Sequence, residues 1–217
     1  GYKGFKDWGA WNLMAETFAE ADIFFIKFIF SHNGGTLEQP IDFPNLEAFS
    51  ENNYTKELDD LNTILDFIAA EDFEHASQCD LNDITIIGHS RGGGIVSILA
   101  SEDSRVSKVI TLASVSDYRA RFPRGKEFKN WKANGVMHVV NGRTKQKMPH
   151  KFQFFKDFKD NVRNLIQKVD NLKIENNKLS NDFNVLNTLY QNTIKDFDEL
   201  KVKYDALKIG KAVIGSN

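Results

Sequence analysis

Cysteine is scarce in this chain: Cys79 is the single one among 217 residues, so no disulfide can form within the chain. A lone thiol fits a reducing compartment, and we expect a cytoplasmic protein. Cys79 lies in a polar stretch with no basic neighbour in the sequence, which predicts an unreactive thiol. The chain opens on Gly1 rather than on methionine, which leaves open a preceding targeting segment.

Long hydrophobic runs and an excess of one charge are also missing. The most apolar stretch, residues 23–30, has the length of a strand and contains Lys27, whereas a membrane span needs roughly 18 apolar residues. The net charge of -2 gives no electrostatic basis for binding nucleic acid or an anionic membrane. The histidines are scattered without metal-ligand spacing, so we expect no metal and no cofactor.

The first 150 residues alternate between strand-like and helix-like patterns. Apolar residues at helical spacing predict helices, and short β-branched or aromatic runs predict strands. Strands that alternate with helices indicate βαβ units and a mostly parallel sheet. The predicted helices are 11–21, 54–70 and 92–100, and the predicted strands are 23–30 (buried), 84–87 and 106–112.

Helix breakers disappear after Pro149, which is the last proline, and no glycine lies between Gly142 and Gly210. From 151 to 209 the apolar residues follow a heptad that is sustained over about six repeats, more than a coiled coil requires. The a positions are Val162, Val169, Asn176, Phe183, Tyr190, Phe197 and Tyr204, and the d positions are Leu165, Leu172, Leu179, Leu186, Thr193, Leu200 and Leu207.

This heptad predicts a coiled coil and a homo-oligomer that forms through residues 151–209. Asn176 at an a position is the residue type that fixes register in two-stranded coils. The aromatic a residues fit less well in a tight dimer seam, and the mixed e and g residues do not indicate a partner. The alternative is a long amphipathic helix, or a helical hairpin, that packs on its own domain.

The strongest chemical motif is Gly88-His89-Ser90-Arg91-Gly92, which stands between a predicted strand and a predicted helix. A G-x-S-x-G motif in this context places its serine on a tight, strained turn with the hydroxyl above the sheet edge. Flanking glycines avoid collisions across the turn, and the amide of Arg91 can stabilise an oxyanion. The alternative is a glycine-rich turn in which Ser90 caps the helix.

Three segments together resemble the α/β-hydrolase superfamily, in its dienelactone-hydrolase or acyl-peptidase-like branch: Gly4 to Gly9, Phe28 to Gly34 and Gly88 to Gly93. The resemblance covers roughly residues 1–174. It implies an α/β fold with a mostly parallel sheet that is incomplete at both ends, followed by a long helix or coiled coil.

By the same resemblance, Tyr2 donates the second oxyanion amide and residues of about 120–148 form a small cap insertion. The superfamily places its catalytic acid and histidine after the serine, yet no histidine follows His150. Asp117, after the strand that ends near Ser114, is the best acid within the chain. His138 and His150 are weaker candidates for the base, and His89 is expected to be structural.

Three functions stay open. The first is a serine hydrolase that uses Ser90 on a small-molecule acyl substrate: an ester, thioester or small amide. The second is a non-catalytic, hydrolase-derived domain joined to a coiled-coil segment for oligomerisation. The third is a catalytic fragment whose acid and histidine come from another chain. The expected domains are 1–150 (the α/β-hydrolase core), 151–209 (the heptad segment) and 210–217 (a flexible tail).

Overall fold

A computed structural model describes the backbone of residues 2–214 and the side chains of residues 2–202. Gly1 and residues 215–217 lie outside the described part, and so do the side chains of the heptad residues Tyr204 and Leu207. The chain divides into two compact units, Gly1–Val169 and Asp170–Asn217. We describe each unit by itself.

Helices and short strands alternate along the first unit, as the sequence predicts. A π-helical turn at Phe158–Val162 leads into the last helix, which continues past residue 209. The elements are α1 Trp11–Glu20, α2 Leu46–Ser50, α3 Tyr54–Ala69, β1 Ile84–His89, α4 Arg91–Glu102, β2 Val106–Leu112, α5 Gly125–Asn134, β3 Val136–Val140, β4 Lys147–Lys151, α6 Gln153–Asp157 and α7 Arg163–Ile214.

The centre of the first unit is the parallel pair β1 and β2, joined by α4 into one βαβ unit. The register aligns His89 with Leu112, so the carboxyl ends of both strands meet at the same edge. Helix α4 buries Ile95, Ile98 and Leu99 against this pair and α3. The predicted strands at 84–87 and 106–112 and the predicted helices around them are therefore confirmed.

The prediction of a buried strand at residues 23–30 is wrong. In the described part of the chain, the sheet that holds β1 has two strands, and no strand pairs with this segment. Without a neighbouring strand the segment is a loop, and Ile23 and Ile26 are 48% and 40% exposed. Phe28 and Phe30 are its members that pack on the core. Apolar composition alone could not show whether a neighbouring strand exists.

The region expected to be a cap folds into α5 and an antiparallel hairpin of β3 and β4. Trp131 of α5 is buried, and its indole N–H donates to the carbonyl of His150 at 2.8 Å. His150 lies in β4, ahead of the long helix. Met148 on the same strand packs with Phe5, Phe43 and Phe49 in a second apolar cluster.

The heptad segment lies in two different environments. Its first a and d residues, Val162, Leu165 and Val169, pack in the core of the first unit. From Leu172 to Leu200 the a and d side chains are exposed, and the described residues show no coiled coil. Within residues 2–214, no helix is both long enough and apolar enough to span a membrane.

Candidate functional site

Ser90 occupies a strained turn between β1 and α4. Its backbone angles are φ 54° and ψ -121°, a region that non-glycine residues rarely adopt and that costs on the order of 1–3 kcal/mol. The turn is held on both sides: the Ser90 N–H donates to Leu112, and the Ser90 carbonyl accepts from Gly93 and Val115. The hydroxyl makes no capping hydrogen bond to α4, which disfavours the interpretation of Ser90 as a helix cap.

Gly88 is the residue that lets this turn close. A Cβ atom at Gly88 would lie 2.5 Å from the carbonyl oxygen of Gly92 and 2.7 Å from the Cα of Gly93. Both of these atoms are backbone, so they cannot move aside as the end of a flexible side chain could. The structure thus gives the physical reason for glycine at the start of the G-x-S-x-G motif.

Arg91 begins α4, so its amide is among those that have no acceptor within the helix. The positive end of the α4 dipole lies at this same amino end of the helix. Its side chain turns into the protein and forms a buried ion pair with Glu57 of α3. The guanidinium carbon also lies 5.1 Å from the ring centre of Tyr2 and 5.5 Å from that of Phe154.

The Arg91–Glu57 pair is the main electrostatic feature beside the serine. Burial by itself would lower the pKa of Arg91, but the Glu57 carboxylate, together with Tyr54 and Tyr118, raises it. Asn52 donates to the same oxygen of Glu57 at 2.9 Å, and Tyr118 donates to the carbonyl of Arg91. The other Glu57 oxygen is buried without a hydrogen-bond partner. Loss of either partner would therefore leave the other charge buried without its counter-charge and destabilise the fold.

Tyr2 and His150 form a second polar contact near Arg91, with His150 buried and Tyr2 half-buried. The Tyr2 hydroxyl lies 2.7 Å from Nε2 of His150, and burial raises the pKa of Tyr2 to about 12. Burial, reinforced by the charge of Arg91, lowers the pKa of His150 to about 4. His150 is therefore neutral in the folded protein at neutral pH.

The depressed pKa of His150 predicts a loss of stability in acid. The unfolded chain takes up a proton near pH 6.5, but the folded protein does so near pH 4. The contribution is fully present above pH 6.5 and is lost as the pH falls toward 4, by on the order of 3 kcal/mol. Urea unfolding at pH 7, 5.5 and 4 should show a steeper loss for the wild type than for His150→Gln. Parallel curves would contradict this assignment.

Asp117 lies in the loop after β2 and is exposed. Its carboxylate accepts from the amide of Ala120 at 3.1 Å, which caps a short 3-10 turn. Among the described residues, no hydrogen bond joins Asp117 to a histidine, and none joins the Ser90 hydroxyl to one. His89 is exposed, with its ring edge against Trp11. The structure therefore brings Tyr2, Arg91 and His150 together, whereas the described hydrogen bond of Asp117 is to Ala120.

Sequence reasoning missed Glu57 and the Tyr2–His150 contact. A signal for Glu57 exists, because it stands on the stripe of α3 that also buries Tyr54, Leu61 and Leu65. A carboxylate on a buried helix face needs a partner, so the stripe predicts a cation nearby. Nothing local indicates the contact of Tyr2 with His150. In the part of the chain with described side chains, no cluster of three or more His, Cys, Asp or Glu residues could hold a metal ion.

The parallel βαβ unit with its strained serine turn is characteristic of hydrolase-like folds, and a comparison with solved structures agrees. The chain is similar to a protein from Agrobacterium vitis S4 that is described as a hydrolase, with a TM-score of 0.55 and 17% identity. The match covers 73% of this chain and 57% of that protein, so the chain spans little more than half its length. At this identity the likeness shows a hydrolase-like fold.

The other comparisons concern the sequence. Residues 148–216 match a family described as ZapB related, over less than half of the chain. No curated protein matches the chain. The two likenesses, one to a hydrolase-like fold and one to this helical region, are consistent with a chain built from two different parts.

Proposed function

We propose that the first part of the chain is a serine hydrolase whose nucleophile is Ser90, acting on a small ester, thioester or amide. The observation that carries the proposal is the backbone of Ser90, strained at φ 54° and over-determined by three hydrogen bonds. Strain that is held in place in this way is typical of functional residues. A serine that only linked a strand to a helix would have no need of it.

In the proposed reaction, Oγ of Ser90 attacks the acyl carbonyl, the leaving group departs with a proton, and water then releases the acid. The amides of Arg91 and Tyr2 would stabilise the oxyanion. The Tyr2 ring lies beside the Arg91 guanidinium, which supports its location next to the turn. Asp117 is the proposed acid. The base is then His138 or His150, or a histidine from another chain.

The remaining assignments follow from the same resemblance. We propose the dienelactone-hydrolase or acyl-peptidase-like branch, with a core at 1–150, a cap at about 120–148, a heptad segment at 151–209 and a tail at 210–217. We also propose a cytoplasmic location, on the basis of the single cysteine.

Labelling with a fluorophosphonate probe tests the nucleophile. We expect the wild type to react and Ser90→Ala to lose the label completely, because the reagent needs an activated hydroxyl. Ser116→Ala, which removes an exposed hydroxyl from the loop after β2, is the matched control and should keep the label. An unlabelled wild type, or equal labelling of Ser90→Ala, would contradict the assignment of Ser90 as the nucleophile.

A second candidate function is a non-catalytic, hydrolase-derived domain that self-associates through the heptad segment. Two observations favour the self-association: the ZapB-related match at 148–216, and the exposed apolar a and d residues between Leu172 and Leu200. If the probe leaves the wild type unlabelled while the chain sediments as an oligomer, this second function is the correct one.

A further inference from the structure

The second unit presents an apolar face along α7. Seven a and d residues between positions 172 and 200 are 44–67% exposed, over about four heptads, which is enough for a coiled coil. These residues are Leu172, Leu179, Phe183, Leu186, Tyr190, Phe197 and Leu200. We call this face the seam. Leaving so much apolar surface in water is unfavourable, so the seam requires a partner.

We propose that the partner is a second copy of this chain, and that the two α7 helices run parallel and in register. The proposal rests on the self-association proposed above and adds its orientation. In this arrangement every a residue meets the same a residue of the second copy, and likewise every d residue. The amino ends of the two helices then lie at the same end of the coil.

Asn176 is the first reason for this orientation. It is the polar a position of the seam, and in a parallel, in-register pair its amide meets the amide of Asn176 of the second copy, so that each donates to the other. In the antiparallel pairing that overlaps the whole seam, Asn176 would face Leu200 instead. A buried amide against leucine loses its hydrogen bonds, which is costly.

The residues that flank the seam give the second reason. In a parallel pair a g residue meets the e residue five positions further along the second copy. Leu189 then meets Ile194, which extends the apolar surface, and Asp196 meets Lys201, its opposite charge. Each of these contacts occurs twice in the dimer.

Antiparallel helices pair the same flanking residues unfavourably. Across that seam e meets e and g meets g, so Lys173 would face Lys201 and Asp182 would face Asp196. The parallel arrangement has one like-charge contact, between Lys168 and Lys173 at the start of the seam. Lys168 is already paired there with Glu102 at 2.7 Å. Charge complementarity therefore favours the parallel pair.

Cysteine cross-linking of the full chain tests the orientation. In a Cys79→Ser background, Leu172→Cys and Leu200→Cys each place one thiol at a d position, near the two ends of the seam. The two sites are about 42 Å apart along the helix. In a parallel, in-register coil each introduced thiol lies beside the same thiol of the second copy. In an antiparallel coil this can hold for one of the two sites at most.

Matched controls lie two residues further on, at outward f positions: Ile174→Cys and Val202→Cys, whose native side chains are 70% and 69% exposed. In a glutathione redox buffer we expect most of both d variants, and little of either control, to run as a covalent dimer on a non-reducing gel. After reduction, all variants should sediment like the Cys79→Ser parent. Comparable cross-linking of controls and d variants would overturn the proposal.

The self-association and the helix orientation are distinguished by different measurements. Sedimentation velocity of the Cys79→Ser chain should show a dimer, and a monomer would overturn both the self-association and its orientation. A dimer in which only one d variant, or neither, cross-links would overturn the orientation alone. Labelling of Ser90 depends on neither result.

Discussion

Replacing Glu57 by leucine should destabilise the first unit by about 3–5 kcal/mol, since it leaves the Arg91 guanidinium buried without its counter-charge. Asn52 would also lose its acceptor. Urea unfolding at pH 7, followed by tryptophan fluorescence, measures the change. A loss this large is a substantial fraction of a typical free energy of unfolding.

The surface pair Lys108–Asp83 provides the matched control, since its side chains are 62% and 52% exposed. Lys108→Met should cost less than about 1 kcal/mol, because water replaces the lost partner. The informative variant is the double replacement Arg91→Met with Glu57→Leu. It removes both charges and should be more stable than Glu57→Leu alone. Simple addition of the two single losses would contradict a coupled buried pair.

Trp131→Ala should lower the free energy of unfolding of the first unit by about 3–5 kcal/mol. The indole is 1% exposed and packs against the rings of Phe122, Phe128 and Phe152. Its N–H donates to the carbonyl of His150, which the substitution leaves without this donor. Both the cavity and the unpaired carbonyl contribute to the loss.

Trp8→Ala is the control for this prediction, because Trp8 is 51% exposed. Its loss should stay within about 0.5 kcal/mol, as is usual for exposed positions. Unfolding is followed by circular dichroism, since each variant changes the fluorescence. Equal losses for Trp8→Ala and Trp131→Ala would show that the α5 region does not contribute a core to the unit. Trp131→Phe should fall between the wild type and Trp131→Ala.

The catalytic interpretation and the fold depend on different evidence. The turn at Ser90 can be recognised from sequence because Gly88, Ser90 and the pattern around them are contiguous. The strain at Ser90 on which the catalytic proposal rests is a property of backbone angles, which only the structure gives. The candidate acid and base lie on distant segments, so their positions relative to Ser90 depend on the tertiary structure.

The sequence by itself determined the local elements of this protein. Periodicity marked α3, α4 and the long helix, and the β-branched runs marked β1 and β2, because each of these depends on neighbours within a few residues. Composition also indicated that the helix-breaking residues end at Pro149, ahead of the long helix.

The tertiary structure decided whatever depends on partners far along the chain. The apolar segment at 23–30 is a loop because no strand of the described chain pairs with it, a condition that no local pattern records. Glu57 meets Arg91, and Tyr2 meets His150, across 34 and 148 positions of sequence. The heptad is one pattern in sequence, but packing divides it. Val162 and Val169 pack within the first unit, while the a and d residues from Leu172 to Leu200 stay exposed because no described residue of their own unit covers them.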